Sequence, residues 1–349
     1  LDVPRMQHVR RELLASARTF YEQFLADTGL TPDLLADTVE TTRMLAILDA
    51  ELGDTETAEK GAEHAVTLAR QLYADGGLPA DDRVQLARTL MTLGAAQQTH
   101  GDLVRAEASF GEAMAIHRDG LKRDPNNLEV LMRVLATHRS LSVIHAQLGH
   151  HDRARDGYRE MAGIWGQVLQ LARGTDHWAY ALEMTLGATC DEVEFHLASG
   201  AVGEAIAALD RCPPVTVEQL SELADTARMS LSRVELRRCS IAAAQGDQEA
   251  RRLHLQRALE VIDPLLDSNP DFVPALRMKA LLHNDMAVAL SLDGSTRAGT
   301  DELVKAIAQL RRLLELAPEI VEMRANLAAS YINLGSAQQL VEDFEDALA

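Results

Sequence analysis

Thr92-Leu-Gly-Ala-Ala-Gln-Gln98 returns near the end of the chain as Asn333-Leu-Gly-Ser-Ala-Gln-Gln339, with Gly94 and Gly335 241 residues apart. Five steps of about 48 residues span that interval, and the steps land on small side chains: Ala46, Gly94, Ser142, Cys190, Cys239, Ala287 and Gly335. A fixed period of this size marks an architecture in which one structural unit is stacked on copies of itself.

A second series runs in phase with the first. In the first three units a turn glycine follows the small residue, and small and bulky residues then recur at helical spacing. They are Gly53, Ala58, Ala62 and Ala65; Gly101, Ala106, Phe110 and Ala113; and Gly149, Ala154, Tyr158 and Met161. Residues four to seven apart share a helix face, and alanine there lets a neighbouring helix come close. Each unit therefore reads as a helix, a tight turn and a second helix. Pro32, Pro79, Pro125, Pro270 and Pro318 precede new first helices, where a missing N–H costs least. Asp81, Asp82, Asn126 and Asn127 are suited to capping those starts.

The expected fold is all-α, an α-solenoid of about seven helix pairs wound as a right-handed superhelix. Residues 1–30 form a capping or junction helix and 31–349 the repeats. The fourth unit, about 176–217, is irregular: Gly200 and Ala205 keep register only with a three-residue slip, and Pro213-Pro214 shortens its second helix. Hydrogen exchange is expected to be fastest between Gly200 and Val217. The last unit is truncated, the chain stopping at Ala349 inside its second helix.

Composition narrows the function. The 349 residues carry 34 Lys and Arg against 53 Asp and Glu, a net charge of −19, which disfavours nucleic acid and anionic lipid as partners. No apolar run approaches the roughly 18 residues of a membrane helix, so the segment is expected to be soluble and cytoplasmic, without inserting into a membrane itself. Cys190, Cys212 and Cys239 are too scattered for a disulfide framework and read as reduced. The chain starts at Leu1, as a piece of a longer protein would.

The repeat pattern resembles the tetratricopeptide repeat family. The residues that carry the resemblance are Leu45-Ala46, Leu93-Gly94, Leu141-Ser142 and Leu334-Gly335, each with the turn glycine and alanine or aromatic positions described above where those are present. The family's period is about 34 residues, so a period of 48 adds roughly four helical turns to each unit. The stretches Asp2-Val-Pro4, Val9-Arg-Arg-Glu-Leu-Leu14 and Phe20-Tyr-Glu-Gln-Phe-Leu25 resemble the junction preceding such arrays in bacterial, planctomycete-type eukaryote-like serine/threonine kinases. That resemblance implies an upstream kinase domain with its ATP site and a single upstream membrane helix. It implies no chemistry in this chain.

Catalytic motifs dissolve into the period. His117-Arg118-Asp119 imitates a kinase catalytic loop, but the position five residues after Asp119, where such a loop has its Asn, is Asp124. Ala317-Pro318-Glu319 falls at a unit junction. His138 with His145, and Glu192 with His196, could anchor a metal or a helical-repeat enzyme, yet no third ligand is spaced to join them. The expected cofactor set is empty, and so is the expected catalytic set.

A stack of helix pairs lines a concave groove with its first helices, which suits a peptide or protein partner. The register projects Arg43, Ile47, Arg88, Met91, Gln98, Arg139, Val143, Arg233, Asn284 and Val288 into that groove, with Glu40, Ala95, Leu236, Ile332 and Gln339 beside them. Recurrent arginines in an acidic chain point to an acidic or carboxylate-bearing segment as ligand. The other reading pairs them with Glu40, Glu51 or Glu235 on the array. Family members that clamp chaperone C-termini use two Lys, two Asn and an Arg, and the matching positions here are Arg43, Ile47, Thr92, Ala136 and Ser140, so that clamp is absent. The expected function is an interaction scaffold, the recruiting or regulatory arm of a kinase. The alternatives are a self-association module and a helical-repeat enzyme using His138, His145 or Glu192.

Overall fold

In the computed structural model, residues 5–28, 34–74, 83–213, 215, 225–316, 318 and 321–348 are described. Among these residues there are fourteen helices and no strand. They are α1 (Arg5–Thr28), α2 (Leu35–Glu51), α3 (Thr55–Ala74), α4 (Arg83–His100), α5 (Leu103–Arg123), α6 (Leu128–Gln147), α7 (His151–Ala172), α8 (Trp178–Ala198), α9 (Val202–Asp210), α10 (Asp225–Gln245), α11 (Gln248–Ser268), α12 (Val273–Leu292), α13 (Thr296–Leu316) and α14 (Val321–Leu348). The fold is all-α, an α-solenoid of consecutive helix pairs.

One turn design joins the helices of every pair from α2–α3 to α12–α13. Gly53, Gly101, Gly149, Gly200, Gly246 and Gly294 all have positive φ, between 72° and 93°. At each, the glycine N–H donates to the carbonyl three residues back, and the next residue's N–H donates to the carbonyl five back, at 2.8–3.1 Å. This double bond pattern satisfies the orphan carbonyls at the end of the first helix. The residue after the glycine then starts the second helix: the carboxylates of Asp54, Asp102 and Asp247 accept from the N–H groups of Thr57, Arg105 and Ala250. Gly200 makes the same turn in spite of its shifted position.

Between pairs, Asn127 caps α6 by accepting from the Val130 N–H at 3.1 Å. Pro32, Pro79, Asp81 and Asp82 lie outside the described residues.

The chain divides into two compact units, Arg10–Met184 and Thr185–Ala349 with Leu1–Val9. In the first, α3 packs on α4 and α5 on α6, as well as each on its own pair partner. Its core is dominated by small and aliphatic side chains: Ala46, Ala62, Ala87, Leu90 and Ala113 meet in one cluster, and Ala106, Phe110 and Ile144 in another. Such a core accounts for 47% hydrophobic residues with only 4% aromatic. Ion pairs repeat with the same period along it, Arg70 with Glu112 and Arg118 with Glu160. In the second unit the main cluster joins α10 to α14 through residues such as Leu255, Ile262, Leu265, Leu276, Leu282, Leu310 and Met323.

Two features depart from a uniform array. The fourth pair has a second helix, α9, of only 9 residues, against 20 to 22 in α3, α5 and α7. At the C-terminal end, the expected turn and second helix are replaced by one helix of 28 residues, α14. The turn position there is Glu342, which has no access to the left-handed conformation at glycine's low cost, so the helix runs on.

Candidate functional site

The first helices of the Arg10–Met184 unit share one face, and on it lies a cavity of about 790 Å³. Its walls come from α2 (Arg43, Ile47, Ala50, Glu51), α4 (Arg88, Met91, Thr92, Ala95, Thr99), α6 (Glu129, Met132, Arg133, Ala136) and the start of α8 (His177, Tyr180). The floor is apolar, made by Ile47, Met91, Met132 and the alanines, while Tyr180 stands 54% exposed on the rim. An apolar floor with a few convergent polar groups is the usual composition of a ligand site.

Three guanidinium groups converge on this cavity in a chain of net charge −19. Glu40, beside the cavity on α2, holds two of them. Its carboxylate accepts from Arg43 twice, Nε at 3.0 Å and Nη2 at 2.5 Å, and from Arg88 Nη2 at 3.1 Å. These bonds, Arg43's first, keep the Glu40 carboxyl below the usual carboxylate range. Arg133 donates Nη2 to Glu129 at 2.5 Å, which lowers the Glu129 carboxyl, and its buried Nε has no partner among the described residues. Burial and then the nearby Arg43 charge push Arg88 below the ordinary arginine range. Among the described residues its hydrogen bonds go to Glu40 alone, through one of the five N–H donors a guanidinium carries.

Of the residues projected from sequence, Arg43, Ile47, Arg88, Met91 and Ala95 line the cavity. So do Thr92 and Ala136, at positions of the family's clamp. Gln98, Arg139 and Val143 lie on α4 and α6, half-buried, outside the lining. Arg233, Asn284 and Val288 belong to the other unit, where Arg233 faces Asp191 at 3.6 Å and Asn284 accepts from Ser330. Arg133, Glu129, Met132, His177 and Tyr180 were missed. The signal that finds Arg133 is a 45-residue step, Arg43 to Arg88 to Arg133, three short of the repeat. A row that slips three residues per unit crosses the helices obliquely, by about 4.5 Å each time.

The histidines do not converge. His138 faces Glu160 at 3.3 Å, His145 faces Glu107 at 3.1 Å, and His196 stands 3.7 Å from Glu192, which Arg211 also holds. Among the described residues no three His, Cys, Asp or Glu side chains gather as metal ligands would. His117 is 2% exposed inside α5, and its Nε2 has no hydrogen-bond partner among the described residues. Burial raises the Cys190 thiol to about 12 and those of Cys212 and Cys239 to about 11, so all three stay protonated near neutral pH. Cys212 is half-buried, and Cys190 and Cys239 are buried.

No family model and no curated protein matches the chain. Solved structures do. BtubC (BKLC) from P. vanneervenii aligns with a TM-score of 0.52 at 16% identity, over 74% of this chain and 91% of its own. A tetratricopeptide repeat protein from Parabacteroides merdae aligns at 12% identity over 84% and 99%, with a TM-score of 0.39. The C-terminal part of a TPR repeat-containing protein from Cytophaga hutchinsonii aligns at 13% identity over 93% and 98%, with a TM-score of 0.41. The likeness to BtubC is one of fold. Among the described residues no helix is long and apolar enough to cross a membrane.

Proposed function

We propose that the chain is a protein-interaction scaffold whose cavity on α2, α4, α6 and α8 docks an extended acidic segment of a partner protein. The observation that carries this reading is the state of Arg88 and Arg133. Both are at least partly withdrawn from water and both keep N–H donors that no described side chain uses. A desolvated cation with open donors is stabilised by a carboxylate, and planar guanidinium groups bind carboxylates with two aligned hydrogen bonds. The ligand's apolar side chains would rest on Met91, Met132 and Ile47.

The test is fluorescence anisotropy with a labelled oligo-glutamate peptide, with oligo-lysine as control. Arg88→Ala with Arg133→Ala should abolish binding and its salt dependence. Equal affinity in the double variant would end the reading.

The proposal extends to the whole protein: the scaffold serves as recruiting or regulatory arm of a serine/threonine kinase. Support for that comes from the stretches at residues 2–4, 9–14 and 20–25, similar to the junction before kinase-linked arrays. The reading frame upstream of Leu1 decides it, and a frame without a kinase domain would leave the bare scaffold.

A further inference from the structure

Glu40 presents a carboxylate to the same guanidinium groups that a ligand carboxylate would need, and the three bonds it makes are unequal. Arg43, on the same helix three residues away, is gripped by both oxygens. Arg88, from the first helix of the next pair, shares one of those oxygens at the longer distance of 3.1 Å. Arg43 is nearly enclosed, with 10% of its side chain exposed, whereas Arg88 keeps 37%. The pairing is therefore a tight fork with a third, looser member that faces the cavity.

Without Glu40, Arg43 and Arg88 would face each other in a half-desolvated space beside the Arg133–Glu129 pair, and both Arg43 and Arg133 already act against the charge on Arg88. Glu40 thus neutralises the Arg43–Arg88 contact when no partner is bound. We infer that Glu40 is a resident stand-in for the ligand, and that an acidic segment binds by drawing Arg88 away from Glu40 onto its own carboxylate. Arg43 stays with Glu40 throughout. This inference rests on the acidic-peptide reading and adds a threshold to it. A ligand must outcompete a tethered carboxylate, so a segment presenting several neighbouring carboxylates enters where a lone small anion does not.

The decisive variant is Glu40→Gln, which keeps the shape and removes the competing charge. Oligo-glutamate should bind it roughly tenfold more tightly than it binds the wild type at low salt, a modest gain because solvent screens side chains that are over a third exposed. Adding Arg88→Ala in that background should cancel the gain. Circular dichroism checks that Arg43 tolerates the neutral partner; should it not, Arg43→Met with Glu40→Gln is compared with Arg43→Met alone, and the same gain is expected. If wild type binds through Arg88 and Arg133 but Glu40→Gln binds equally or more weakly, Glu40 is a positioning residue and the stand-in is refuted while the groove survives. If neither wild type nor Glu40→Gln binds, both readings fall.

Discussion

The ring of Phe110 lies against the backbone of Gly94, so near that a Cβ on Gly94 would stand 2.8 Å from two of its carbons. The small-residue register is thus a register of helix contact, and the partner that gives way alternates. In the neighbouring units the second helix supplies the glycine, Gly61 under Ala46 and Gly157 under Ser142. Gly94→Ala should cost about 1–3 kcal/mol, as overpacking in a tight core does. Urea unfolding would show it as a lower midpoint at unchanged slope, and Phe110→Leu in the same chain should recover part of the loss. An unaffected midpoint would mean that the helices have room to separate.

Gly101 sits at φ +93° between α4 and α5 with open space around it. The cost of Gly101→Ala is therefore conformational and should be about 1–2 kcal/mol, that of a left-handed L-residue. Asp102→Ala, one residue on, removes a cap and should cost about 1 kcal/mol. Thermal unfolding of each variant measures both.

Acid should weaken the chain through His117. Burial, with Arg133 nearby, lowers this imidazole to about 4 from the ordinary 6.5. The folded state then holds fewer protons than the unfolded one between those values, so the stability owed to the neutral ring is complete above pH 6.5 and is lost as the pH falls. From pH 7 to pH 5 the loss should be roughly 2 kcal/mol from this side chain. His138 and His283, also lowered by burial, add in the same direction. Urea midpoints at the two pH values should differ less in His117→Leu than in the wild type; equal differences would show that His117 is not the sensor.

The period, the turn glycines and the Asn127 cap were legible because each is a local requirement that one residue type meets. Arg43, Ile47 and Met91 were legible for the same reason, since they keep fixed offsets from the small residues Ala46 and Gly94, while Arg88 was projected one turn ahead of Met91 on the same helix. Arg133 was not, because a constant offset from Ser142 leads to Arg139 while the cavity follows the oblique 45-residue row. His177 and Tyr180 escaped because they enter from the start of α8, ahead of the register residue Cys190 by more than two turns. The long α14 went unread because helix continuation is signalled only by a missing glycine.

The shortened α9 offers few internal hydrogen bonds and only three buried side chains, Ala205, Ala208 and Leu209. Short helices depend on packing for their persistence. Amide exchange in Val202–Asp210 should be faster than in α5 or α7, as hydrogen-exchange mass spectrometry can read peptide by peptide. Comparable protection would show that the fourth pair is as firm as its neighbours.

Asp102 closes α4 with its N–H and opens α5 with its carboxylate, and Asp54 and Asp247 do the same for their pairs. One residue with two duties leaves no slack, because inserting or deleting a single position would forfeit the end of one helix and the beginning of the next together. Length changes are thereby confined to the helix bodies and the joints: the fourth pair keeps both hydrogen bonds of its turn at Gly200 although that turn stands three residues late and the helix after it has only 9 residues.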